Sequence, residues 1–229
     1  MKASSLVIAV AQPALVSYDV SANAQTQAAV VRRAGARVVV FPELSLTGYE
    51  LDAPLVSPDD PRLAPIIQAC VAAGALALVG APLAGPCIGM LAVDSSDATV
   101  VYRKINLGAA EAERFVPAQN PAVLAVDGWR LGLAICKDTG HPEHAADTAA
   151  LGIDAYVGGL VENAADVIES RARRIVADHR VWVAFASCAG STGGGFSKTA
   201  GRSSIRTPEG VVVAQAGAEP GAAVRATLT

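Results

Sequence analysis

The chain has 229 residues, 52% hydrophobic, 17% charged and 4% aromatic, with a formal net charge of −3. So large an apolar fraction excludes disorder, because burial can offset the ordering entropy, and the length excludes a disulfide-stapled mini-domain. The 18 basic and 21 acidic residues form no run of like charge, so the basic stripe of a nucleic-acid binder is missing and no such partner is expected.

Residues 5–12 (SLVIAVAQ) read as a buried strand and 21–35 as a helix ending at Gly35. Met1-Lys2, the apolar run and Ala22-Asn23-Ala24 imitate a secretory leader. Gln12-Pro13 breaks that run and Asp19 precedes the supposed cut, which favours the strand. VVVF at 38–41 is a short apolar run between Arg37 and Pro42, the pattern of a strand covered on both faces. Residues 60–73 suit a helix stopped by Gly74, and 75–83 a second buried strand. The uncharged stretch 63–93 is long enough to cross a bilayer. However, Gly74, Gly80, Pro82, Gly85 and Pro86 divide it into helix, strand and turn, so no membrane association is expected.

A strand to Val93, a polar turn at Asp94-Ser95-Ser96-Asp97 and a strand to Tyr102 predict a hairpin. WRLGLAIC (129–136) is a strand whose last residue is a cysteine. A helix over 142–151, a strand over 153–160, a helix over 164–179 and a strand over 181–188 follow. Residues 202–215 close the pattern with two strands around a Pro208-Glu209-Gly210 turn. Helices and strands alternate, then hairpins intrude, with neither linker nor repeat; this predicts one two-sheeted domain over 1–229. Cys70, Cys87, Cys136 and Cys188 are widely spaced and form no C-x-x-C pair, the usage of reduced cytoplasmic thiols.

Three residues at strand ends invite a catalytic reading. Cys136 enters Lys137-Asp138-Thr139-Gly140, and a sharp turn there lifts a side chain to the sheet edge where it can meet substrate. Position alone leaves a buried structural cysteine equally open. Glu43 ends the 38–42 run, where burial would raise its pKa toward that of a general base; a simple loop glutamate fits as well. Lys104 leaves the second hairpin strand in a chain with four lysines against fourteen arginines. It could supply fixed charge to a developing oxyanion or be a solvated strand end. Sites in open α/β sheets gather beyond the strands' carboxyl ends, so the three could share one place, though spacing does not establish it.

FPELSLTGYE (41–50), YRKINLGAAEAERFVPA (102–118) and GLAICKDTGHPEHA (132–145) together resemble the carbon–nitrogen hydrolase, or nitrilase, superfamily. AVAQPAL, Asn23, RIVADHRVWVAFASCAG and FSKTAGRSSIRTPEGVVVAQ extend the resemblance over nearly the whole chain. It implies an α/β fold, a four-layer α-β-β-α sandwich that commonly pairs into a homodimer or higher homo-oligomer. It also implies a Glu–Lys–Cys triad at Glu43, Lys104 and Cys136, with no cofactor and no metal. A second family glutamate supports the lysine. Glu111 matches its register, with Phe115 four and Pro117 six residues on, and Glu113 is the alternative. Lys137 stands where an aromatic residue is frequent, Ser187 where Asn is common and Ala118 where Gly is usual.

The implied chemistry is cleavage of a non-peptide C–N bond, in a small amide or carbamoyl compound, through a thioester on Cys136. Tyr49, Lys137 and His141 are candidate substrate contacts, and Arg114 and Arg202 are candidate partners for a substrate carboxylate. Primary amides, ω-amides, N-carbamoyl amines and nitriles fit one triad alike. Three rivals stand beside hydrolysis. One is a zinc site at His141-Pro142-Glu143-His144, with Cys136 and Asp138 close in sequence, although Pro142 prevents a regular helix through the pair and zinc catalysis usually needs three protein ligands. The others are a catalytically silent dimeric binding module and acyl transfer to an acceptor other than water.

Overall fold

The computed structural model describes residues 5–229; Met1 and Lys2, which open the leader-like pattern, lie outside them. In chain order the elements begin β1 (Leu6–Gln12), α1 (Val20–Ala34), β2 (Val38–Val40), α2 (Ala64–Ala73) and β3 (Leu76–Leu83). The hairpin β4 (Cys87–Val93) and β5 (Ala98–Arg103) leads to a single helical turn, α3 (Ala109–Ala112). The second half runs β6 (Val123–Val126), β7 (Trp129–Ile135), α4 (Pro142–Ala150), β8 (Ala155–Leu160), α5 (Ala165–His179) and β9 (Trp182–Ser187). A two-stranded ribbon, β10 (Ala189–Gly190) and β11 (Thr199–Ala200), precedes β12 (Ser204–Arg206), β13 (Val212–Gln215) and β14 (Ala222–Leu228).

Two six-stranded sheets result, β14-β1-β2-β3-β4-β5 and β13-β12-β9-β8-β7-β6. Each has three parallel strands at its centre (β1-β2-β3 and β7-β8-β9), flanked by one antiparallel strand on one side and two on the other. The central strands are apolar throughout because both faces are covered, and the period of two assigns alternate residues to different layers. Ile8, Val10, Val38, Val40, Leu131 and Leu133 meet between the sheets. Ala9, Ala11 and Val39 turn outward against α1 and α2, while Ala134, Tyr156, Val183 and Phe185 face α4 and α5. The layer order is therefore α-β-β-α, built on three apolar seams.

Several boundaries differ from the sequence pattern. β6, β10, β11 and β14 were not expected. β14 is an edge strand with a mixed, half-exposed pattern, and it is held through β1, more than two hundred residues away. The strand expected to end on Cys136 stops at Ile135, because Cys136 adopts φ +42° and starts a 3-10 turn through Gly140. The uncharged 63–93 stretch resolves into α2, β3 and β4. Among the described residues no helix is long and apolar enough to cross a membrane.

Candidate active site

The segment after β2 carries Glu43 into the space between the sheets. Phe41 still bonds Leu78 across the sheet, and then the chain turns through Pro42–Thr47 with Leu44 at φ +49°. Such a turn can lie between two sheets only where both neighbours lack a side chain. Gly80 of β3 and Gly159 of β8 supply that clearance from opposite sides. A Cβ on Gly80 would fall 2.5 Å from Pro42 O and Leu44 N, and one on Gly159 would fall 2.7 Å from Phe41 O. Gly159 was not singled out from the sequence, and Gly80 was named only as a break in the uncharged 63–93 stretch. Their signal was an interior glycine in an apolar strand, which marks a close backbone approach.

Glu43, Lys104 and Glu111, from three separate segments, meet in a buried cluster. Lys104 Nζ donates to Glu43 Oε1 at 2.6 Å and to Glu111 Oε1 and Oε2 at 2.7 and 2.8 Å. All three side chains are at least 96% buried. Glu113 is exposed, so Glu111 is the glutamate that holds the lysine. Its carboxylate also accepts from the Tyr49 hydroxyl at 2.5 Å and from the Gly108 N–H at 2.6 Å.

Two carboxylates share one ammonium, yet they titrate apart. Burial pushes the Glu43 carboxyl up to about 7, with Lys104 opposing and the Glu111 charge adding to the rise. Burial acts on Glu111 too, but Lys104, Tyr49 and Gly108 together hold it below the ordinary carboxylate value. The difference lies in the donor count. Glu43 Oε2 is buried without a hydrogen-bond partner, whereas both Glu111 oxygens are satisfied. Burial disfavours the Lys104 charge, but Glu43, Cys136 and Glu111 outweigh it and keep the ammonium protonated above its usual range.

Cys136 is the only one of the four cysteines that is not buried. Its thiol donates to Val161 O at 3.1 Å. It lies near enough to Glu43 that each group shifts the other's titration. Desolvation and then the Glu43 charge hold it well above the ordinary thiol value, so it rests as a thiol. A thiol, an unpartnered carboxylate oxygen and a buried ammonium thus converge, the set of groups that nucleophilic catalysis needs.

The other candidates sit differently. Tyr49, read as a substrate contact, gives its hydroxyl to Glu111 while Phe196 packs edge-on at 4.9 Å from its ring. Lys137 is exposed, its ammonium held by Leu107 O at 2.7 Å. His141 lines a cavity of about 300 Å³ with Asn106, His144 and Asp147, and none of Glu43, Lys104 and Cys136 borders it. Arg114 is occupied by the carbonyls of Leu51 and Ala53. Arg202 is exposed and lines, with Asp166 and Glu169, a cavity that none of Glu43, Lys104 and Cys136 borders. In the His141–His144 segment both ring nitrogens of His144 face tyrosine hydroxyls. Among the described residues no group of three His, Cys, Asp or Glu is placed to hold a metal ion.

The Carbon-nitrogen hydrolase family model matches residues 7–228. The chain belongs to the carbon-nitrogen hydrolase family. No curated protein matches the chain, but solved structures share its fold. Saccharomyces cerevisiae Nit3, a member of branch 10 of the nitrilase superfamily, superposes with a TM-score of 0.84 at 21% identity, covering 98% of this chain and 90% of Nit3. A cysteine-to-alanine mutant of the Nesterenkonia AN1 amidase, also of the nitrilase superfamily, gives 0.82 at 23% identity, covering 97% and 90%. A complex of that amidase with butyramide gives 0.81 at 22%, covering 97% and 90%.

Proposed function

We propose that this hydrolase is an amidase that cleaves small, uncharged carboxylic amides through a thioester on Cys136. The observation that carries the reading is Glu43 Oε2, a buried carboxylate oxygen without a partner, beside a thiol that rests protonated. Glu43 takes the thiol proton as sulfur attacks the amide carbon. The C–S bond forms as the carbonyl electrons move to oxygen. The Lys104 ammonium and the backbone N–H of Lys137, at the open start of its 3-10 turn, stabilise that oxyanion, each good donor contributing roughly 3–4 kcal/mol. Collapse breaks the C–N bond, and the proton on Glu43 leaves with the amine. Water, deprotonated by Glu43, then attacks the thioester, the C–S bond breaks to release the acid, and the proton on Glu43 returns to the Cys136 sulfur. Glu111 keeps Lys104 charged and aimed.

An uncharged acyl group is favoured because the sequence's candidate cations are otherwise engaged or distant: Arg114 on carbonyls, Lys137 on Leu107, Arg202 elsewhere. The butyramide-bound amidase of the same fold supports this class over carbamoyl compounds and nitriles. The reading includes a cytoplasmic setting, which the free cysteines favour, and association into at least a homodimer, which light scattering at micromolar concentration tests. Ammonia release from a panel of aliphatic amides, ω-amides, N-carbamoyl amines and nitriles tests the activity. Aliphatic amides should lead, and a preference for ω-amides of dicarboxylic acids would overturn the uncharged-substrate assignment.

A further inference from the structure

Behind the Cys136 turn lies a second buried polar cluster that the proposed chemistry does not use. Asp138 is fully buried, and its carboxylate accepts four hydrogen bonds. Oδ1 takes the backbone N–H of Asn106 at 2.8 Å and its Nδ2 at 3.0 Å. Oδ2 takes the Tyr102 hydroxyl at 2.7 Å and the Ile135 N–H at 3.0 Å. Tyr102 and Asn106 stand two residues either side of Lys104, while Ile135 and Asp138 bracket Cys136. One carboxylate therefore ties the segment bearing the ammonium to the turn bearing the nucleophile.

The network continues outward in one direction. Tyr102 has a single hydroxyl proton and gives it to Asp138, so at 2.8 Å it must accept from His144 Nε2. The Nδ1 of that ring then accepts from Tyr156 at 2.7 Å. A neutral imidazole is required, and burial, which lowers the His144 pKa, keeps it neutral. Four side chains from β5, the Cys136 turn, α4 and β8 are thus locked in one protonation pattern.

We propose that Asp138 is a positioning residue for amide hydrolysis, setting the placement of the Lys104 ammonium relative to the Cys136 thiol and the Lys137 N–H. This inference rests on the thioester reading above. Cys136 sits in the left-handed region, which a non-glycine residue keeps only when its surroundings over-determine it. The Asp138 bonds on both flanks do that, and they fix the lysine segment in the same act. Asp138→Asn puts an amide donor against the donors of Asn106 or of Tyr102 and Ile135, opening the staple without changing side-chain volume. Tyr102→Phe removes one of the four bonds and serves if the first variant fails to fold.

The test uses butyramide turnover, with active thiols counted as the Cys136 that iodoacetamide alkylates and butyramide protects. Misplacement of about 1 Å can cost on the order of 100-fold in rate. Turnover per counted thiol should accordingly fall roughly 10- to 100-fold in Asp138→Asn and by less in Tyr102→Phe, with KM within about threefold of wild type. A purely structural role would lower the count of competent thiols or the melting temperature while leaving turnover per thiol unchanged; that result overturns the inference. Wild-type protein that turns over butyramide with no protectable Cys136 would instead sink the thioester reading itself.

Discussion

Two buried polar clusters flank the Cys136 turn, and they differ in what they leave unsatisfied. In the Lys104 cluster two carboxylates share one ammonium, and Glu43 Oε2 accepts nothing. In the Asp138 cluster every carboxylate lone-pair direction has a donor, and the adjoining histidine is spoken for at both nitrogens. An unsatisfied buried acceptor is costly, so the first cluster holds capacity that a proton can fill during reaction. The second holds none and can only fix geometry. On the proposed reading, proton transfer belongs to the Lys104 cluster and positioning to the Asp138 cluster.

Substitutions should break that contrast in graded fashion. Cys136→Ala removes the proposed nucleophile; amide turnover should drop to background while the thermal melt stays near wild type, because only one sulfur atom is lost from the edge of the inter-sheet core. Glu43→Gln keeps shape but abolishes the open acceptor, and kcat should fall about 10²–10⁴-fold. The sign of the pH effect follows from the raised carboxyl. Glu43 must be ionised to take the thiol proton, so kcat/KM in the wild type should rise with pH through about 7 and level above it. That limb belongs to the coupled Glu43–Cys136 pair and should vanish in Glu43→Gln.

Glu111→Gln retains an acceptor for Lys104 but loses the charge. A hydrogen bond to a charged group is worth about 1.5–3 kcal/mol, so kcat should fall roughly 10- to 100-fold. KM should move less, because the oxyanion exists only near the transition state. The exposed Glu113→Gln should be indistinguishable from wild type in both constants, and damage there would reverse the register. Within the two clusters the smallest effect on turnover belongs to the far end of the saturated one. Tyr156→Phe takes the donor from His144 Nδ1 and should cost about 1–3 kcal/mol in urea unfolding while leaving kcat within about threefold of wild type.

Much of the sandwich was legible in the sequence because double-sided burial writes itself into the central strands as unbroken apolar runs, as in VVVF and LALVGAPL. β6 and β14 escaped notice for the complementary reason. Edge strands are half solvated, and β14 (AAVRATL) is held by its partner β1 rather than by a pattern of its own. In the site, Glu43, Lys104 and Cys136 stood out at strand ends, and the family register pointed to Glu111. Asp138 drew notice only beside the rival metal site, since its bonds to Tyr102 and Asn106 reach more than thirty residues back along the chain. Gly80 and Gly159 likewise matter only through a turn packed between sheets. Tyr49 was read as a substrate contact, but its hydroxyl bonds Glu111, a contact across 62 residues that local pattern does not encode.

The most direct measurement is acid-quenched peptide mapping during butyramide hydrolysis. The thioester account predicts a butyryl adduct on the Cys136 peptide, ammonia released in step with turnover, and loss of both in Cys136→Ala. Ammonia release that persists in Cys136→Ala, or wild-type turnover with the acyl group on another residue, would contradict it.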